Sequence, residues 1–233
     1  RVRGRHAYEY SCVTGDGSLL HHFKSSRNFA RATGDIQMKK ELKFKDGKFT
    51  ILQVSDAQDL QYVRKTMMKM LDKAYDRVKP DLIVFTGDNV LGNHFRDART
   101  LTPLFVKTKE AEFEAMKDAI EKLLRPVEDR KIPFSMIYGN HDDMNEITKK
   151  EQSDIYRSYP HFVGLDNDVE ILKDETFNIP IYSEDGSEIK FNIWMMDSAW
   201  KNKEEDKCDN QVKPEAIEWY KKKSAELKPQ NGG

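Results

Sequence analysis

The chain has 233 residues, enough for one large domain or two small ones with a sizeable buried core. Its 38% hydrophobic and 34% charged content is that of a soluble globular protein, and 39 basic against 40 acidic residues leave a net charge of −1, which excludes a global field that would recruit nucleic acid or an anionic membrane. The longest apolar runs are strand-sized, short of the roughly 20 residues a membrane-spanning helix needs, and Cys12 and Cys208 lie far apart in no CxxC or Cys/His pattern, so they read as reduced thiols rather than a disulfide framework or zinc site.

Residues 1–43 are rich in Arg, Lys, Ser, Gly and His, and read as a poorly ordered leader, with a basic docking arm as the alternative. No charged segment followed by an apolar one opens the sequence, so no signal peptide is expected in it. A cytoplasmic location is the default; the first residue is Arg rather than Met, which keeps an extracytoplasmic origin open. The domain proper is expected over 44–233. Asp46-Gly47 marks a turn into a first strand over Phe49–Val54. Val63, Met67, Leu71, Ala74 and Val78 then recur at helical spacing, and Pro80 ends that helix. The run Leu82–Phe85 is apolar throughout, which suits a central strand covered on both faces. A long connection over 90–109 carries His94. Phe113, Met116, Ile120, Leu123 and Val127 mark a second helix that Pro126 should bend or stop. Ile132–Tyr138 reads as a third strand and Ile147–Tyr159 as carrying a third helix. Short strands follow at Val169–Leu172, Phe177–Tyr182 and Ile189–Met196, the last two joined by a hairpin over Glu184-Asp185-Gly186-Ser187. Residues 200–213 read as a charged, solvated loop. Pro214–Leu227 reads as a helix with Ile217 and Tyr220 turned inward.

The order β-α-β-α-β makes the first three strands parallel, so their carboxyl ends share one edge, where ligand sites of open α/β sheets gather. Behind those strands sit Asp56-Ala57-Gln58-Asp59, Gly87-Asp88-Asn89 and Gly139-Asn140-His141-Asp142. Each cluster alone would serve equally as a turn or helix cap. Together they gather oxygen donors and one imidazole, a set suited to divalent metals and phosphate chemistry. There is no Gly-x-Gly-x-x-Gly, Gly-Lys-Ser/Thr or Gly-x-Ser-x-Gly sequence, which argues against a dinucleotide fold, a P-loop and a hydrolase elbow.

The series Asp56-x-Gln58, Gly87-Asp88-Asn89 and Gly139-Asn140-His141-Asp142 resembles the blocks Asp-x-His, Gly-Asp and Gly-Asn-His-Asp/Glu of the calcineurin-like metallophosphoesterase superfamily. The stretch Pro80–Asn89 is most similar to its purple-acid-phosphatase-related branch, which includes yeast and plant phosphatases; the similarity covers roughly residues 47–228. The resemblance implies an α/β fold, a four-layer α-β-β-α sandwich, with two divalent metal ions (Mn, Fe or Zn) on strand-end loops. It implies Asp56, Gln58, Asp88 and Asn140 as metal ligands, with Asp88 bridging. His141 would stand by the leaving group, and Asn89, Asp59 and Asp142 would reach substrate or support the ligands. The implied reaction is hydrolysis of a phosphomonoester or phosphodiester of unknown class by metal-activated water.

Two departures qualify it. Gln58 stands where the superfamily has His, which weakens the first metal position and favours Mn²⁺, Mg²⁺ or Fe²⁺ over Zn²⁺. The late His and Gly-His-x-His blocks have no counterpart after Asp142, where His161 is the one further histidine, read as a surface or packing residue. The fold is therefore expected to be incomplete at its C-terminal end. A catalytically silent binding or scaffold protein of the same fold is the alternative reading.

Overall fold

A computed structural model describes residues 41–59, 63–90, 108–164, 166–198, 200–201 and 210–231. The leader over 1–40, the connection over 91–107 with His94, the stretch 202–209 and both cysteines lie outside those residues. Order begins before residue 44: Leu42–Lys43, given to the leader on composition, form strand β1. Two residues carry no readable periodicity, and what makes them a strand is a distant partner.

The apolar runs become strands and the periodic segments helices. In chain order they are β2 (Ile51–Val54), α1 (Lys65–Val78), β3 (Leu82–Phe85), α2 (Lys109–Asp129), β4 (Phe134–Met136), α3 (Lys149–Arg157), β5 (Thr176–Tyr182), β6 (Ile189–Met196), β7 (Trp200–Lys201), β8 (Asn210–Gln211) and α4 (Pro214–Leu227). Helix α1 stops where Lys79 turns left-handed, at φ +49°, immediately before Pro80. Helix α2 starts on the Thr108 side chain, which accepts from the Ala111 N–H at 3.2 Å.

Strands β2, β3 and β4 form one parallel sheet in the order β2-β3-β4, with Val54 opposite Phe85 and Phe85 opposite Met136. All four β3 side chains are buried, as an unbroken apolar run requires; full burial of each is worth about 1.5–3 kcal/mol. The second sheet has the order β1-β5-β6, with β1 parallel to β5 and β5 antiparallel to β6. Alternation along β6 shows what covers each face. Ile193 and Met195 join the main core with Leu71, Tyr75, Met116, Ile120 and the β3 residues, whereas Trp194 and Met196 pack against Leu172, Ala216 and Trp219. The layers are therefore α1 and α2, the parallel sheet, the mixed sheet, and α4: an α-β-β-α sandwich.

Four local readings change. Pro126 does not end α2, which runs on to Asp129 because Pro126 and Val127 are buried and Arg130 reaches back to the Pro126 carbonyl at 2.9 Å. Val169–Leu172 is no strand: Asn167 Oδ1 takes the Val169 N–H at 2.8 Å and starts a single 3-10 turn over Glu170–Leu172. The inward face of α4 is Ala216, Trp219 and Leu227, while Ile217 and Tyr220 stay exposed. The ends of the charged loop pair antiparallel as β7 and β8.

Candidate functional site

The three polar clusters leave the parallel sheet side by side and are tied together by their backbones. Thr86 N–H bonds to the Val54 carbonyl at 2.9 Å, Asp56 N–H to that of Gly87 at 3.2 Å, and Gln58 N–H to that of Asp88 at 2.9 Å, so the first loop runs along the second beyond the strands. The third is joined by contact: a Cβ on Gly87, whose φ is +108°, would lie 2.8 Å from the Gly139 nitrogen, and one on Gly139 would run into Asp88. Asp56, Gln58 and Asp88 all have left-handed backbones, at φ +58°, +30° and +50°. Such conformations cost energy in non-glycine residues and persist where the surroundings impose them, often at functional sites.

Asp88 is held at each carboxylate oxygen. Oδ1 accepts the His141 N–H at 3.0 Å and Oδ2 accepts the Gln58 Nε2 amide at 2.6 Å. Beneath it, Asp142 is buried and takes the N–H groups of Asn89, Val90 and Gly139 at 3.0, 3.1 and 2.8 Å. Burial pushes its carboxyl up to about 7 against the pull of those three donors, with the Asp88 charge adding to the rise. Asn89 donates its side chain to the Ile137 carbonyl at 2.9 Å.

Asp56, Asp88 and Asn140 line one polar cavity of about 210 Å³, with the hydroxyls of Ser55, Thr86 and Ser198 around it. Of the other residues expected at the site, Asn89 and Asp142 brace the loops from below and do not line it. Asp59 is occupied with Arg64, accepting its N–H at 2.8 Å and its Nε at 3.0 Å at the start of α1. His141 reaches the site through its backbone. His161 sits elsewhere, its Nδ1 2.7 Å from Glu128 Oε2.

Ser55, Thr86 and Tyr138 carry no sequence signal beyond adjacency to the motif residues, whereas Asp197-Ser198 stands out as the end of a strand without an assigned chemistry. Tyr138 is buried, its hydroxyl donating to the Lys149 carbonyl at 2.9 Å. Next to Ser198, Asp197 pairs with Lys149, which also lies 3.5 Å from Glu175, itself paired with Lys213. Burial pulls the Lys149 ammonium down, but Asp197, Asp143 and Glu175 outweigh it and hold the group above its usual value. A larger cleft of about 500 Å³ between α3 and α4 has its cations already matched, Lys150 to Asp154 at 2.8 Å and Arg157 to Asp174 at 3.0 Å.

Residues 49–229 match the calcineurin-like phosphoesterase family. The chain belongs to that family. Its relatives lie in the purple-acid-phosphatase-related branch: it is 32% identical over 92 residues to Phosphatase DCR2 of Saccharomyces cerevisiae, covering 39% of this chain and 13% of that protein. It is 29% identical over 129 residues to Probable inactive purple acid phosphatase 29 of Arabidopsis thaliana, covering 52% of this chain and 28% of that one. An uncharacterized protein of Schizosaccharomyces pombe is 24% identical over 152 residues, 64% of this chain and 25% of its own length. The chain thus spans little more than a quarter of any of these three relatives. No solved structure is significantly similar to it.

Calcineurin-like phosphoesterases are generally dimetal-dependent, so the donor set here can be tested against that need. Two carboxylates and the Asn140 amide fit one hard divalent cation held by oxygen. Among the described residues no group of three or more His, Cys, Asp or Glu converges, so these donors do not by themselves complete a two-ion centre. No described helix is long and apolar enough to cross a membrane.

Proposed function

We propose that this calcineurin-like phosphoesterase chain contributes the Asp56, Asp88 and Asn140 side of a cation-dependent site that hydrolyses a phosphoric ester, with His141 at the leaving group. The observation that carries the reading is the composition of the cavity. Among the described residues two carboxylates line it and no Lys or Arg does, so an anionic phosphoryl group there faces their negative charge unless a cation stands between. A divalent ion there supplies Lewis-acid polarisation of phosphoryl oxygens and lowers the pKa of water.

The chain's own groups do the rest. Asp88, fixed at both oxygens, keeps its charge aimed at one place without reorganising. Ser198 lines the same cavity, whereas the Ser55 hydroxyl donates to the Asp56 carboxylate and the Thr86 hydroxyl accepts the Gln53 amide at 3.1 Å; a volume near 210 Å³ admits a phosphoryl group. Asp142 and Asn89 hold the second and third loops at a fixed separation, which positions His141 relative to Asp88. The substrate's organic part, a second ion and any partner would be set by contacts beyond these residues.

The test is hydrolysis of p-nitrophenyl phosphate with added Mn²⁺. Activity abolished by a chelator and reduced at least about 100-fold in Asp88→Asn is the expected result, since that change removes a charge the reaction depends on. Unchanged turnover and metal content in Asp88→Asn would discard the assignment. The second reading, a silent scaffold of the same fold, is supported by Gln58 at the usual histidine position and by the relative named as a probable inactive phosphatase. It requires that no divalent ion binds at any concentration that also leaves the chain folded.

A further inference from the structure

We infer that Gln58 is a positioning residue for Asp88, an internal substitute for part of a metal's hold on that carboxylate, and not itself a metal ligand. The inference rests on the reading of the cavity as a cation site, and departs from the ligand role that the family resemblance implies for Gln58. Its side-chain amide donates to Asp88 Oδ2 at 2.6 Å, and its backbone N–H donates to the Asp88 carbonyl at 2.9 Å, so one residue grips another at two points. The double grip explains a left-handed backbone at φ +30° in a residue with no intrinsic preference for it. Gln58 does not line the cavity that Asp56, Asp88 and Asn140 share. With His141 N–H on Oδ1, the amide leaves each Asp88 oxygen already carrying one protein donor. Each oxygen keeps a second lone pair for a cation, so the Gln58 amide orients Asp88 without supplying a ligand of its own to the cavity.

The two roles differ in what they predict without metal. If Gln58 is a tether, Gln58→Ala lowers the melting temperature of the metal-free chain by about 2–4 °C, the shift that about 1 kcal/mol produces at this size. If Gln58 is a ligand, the same variant leaves the metal-free melting temperature unchanged and shrinks only the shift that Mn²⁺ induces; that result overturns the inference. Gln58→Asn, whose shorter amide tolerates the left-handed backbone but cannot reach, separates loss of the bond from backbone strain and should behave as Gln58→Ala does.

A double-mutant cycle of Gln58→Ala with Asp88→Ala in metal-free protein reads the tether without any ion. Coupling is expected, and additivity of the two thermal shifts would overturn the inference. Failure of the wild-type chain to bind Mn²⁺ by calorimetry would sink the cation site while leaving the cycle to decide the tether.

Discussion

Gly139 faces Asp88 so closely that a methyl group there would run into its backbone nitrogen and carboxylate, placing Asp88 Cγ 2.8 Å away. Gly139→Ala should therefore force the second and third loops apart and cost about 1–3 kcal/mol, the range for overpacking a tight contact, read as a lower urea midpoint with unchanged slope. At this scale the sequence showed which residue types cluster but not which way they point. Asp56, Asp88 and Asn140 share the cavity, as their spacing suggested, whereas Asn89, Asp142 and Asp59 carry the same functional groups and are turned to other partners. The left-handed backbones at Asp56, Gln58 and Asp88 decide these directions, and no periodicity encodes a φ angle. Asp142 illustrates the consequence: a carboxylate expected to reach substrate or support the ligands works as a buried acceptor for three N–H groups.

Helix α3 is an element whose stability can be traced to its first turn. Thr148 and Glu151 form a reciprocal cap, Thr148 Oγ1 accepting the Glu151 N–H at 3.2 Å and Glu151 Oε2 accepting the Thr148 N–H at 2.8 Å. Thr148→Ala should cost about 1 kcal/mol by chemical denaturation. Lys109 and then Thr148 hold the Glu151 carboxyl down at about 2, against a usual 4.5. Because the folded value is the lower one, the stability this group contributes is present above about pH 4.5 and lost as pH falls toward 2. Glu151→Gln should therefore lie below wild type at pH 6, with the gap narrowing below about pH 4.5 and closing only as pH falls through about 2, measured by thermal melts across that range. Elements with strong periodicity, α1, α2, β3 and α4, were legible to within a few residues. The two-residue β1 and the 3-10 turn at Glu170–Leu172 were not, because a remote strand makes the first and one Asn167 side chain starts the second.

For the whole molecule, the α-β-β-α layering depends on β6 presenting apolar residues to both sides. Trp194 meets Trp219 edge-on at 5.6 Å between ring centres, and that contact anchors α4 over the mixed sheet. Trp219→Ala should cost about 3–5 kcal/mol, seen as a lower unfolding midpoint together with loss of the buried tryptophan emission. The strand order around the site followed from alternating helical and apolar segments, since crossover connections leave few topologies. The orientation of α4 did not follow: Ile217 and Tyr220 satisfy the helical period as well as Ala216 and Trp219 do; Ala216 and Trp219 are buried with Leu172, while Tyr220 meets the Trp194 ring edge-on at 4.8 Å from a more exposed position.

The alignment of Val54, Phe85 and Met136 across three neighbouring strands has a consequence for how the cavity can be lost. Its acidic and amide groups sit on the loops that leave these strands, so their relative places follow that alignment and they behave as the teeth of a lock. Sliding the middle strand by a single residue would displace Asp88 by about 3.3 Å and invert every side chain behind it. Deleting one residue within Leu82–Phe85 would thus scatter the three groups even if the sheet still formed.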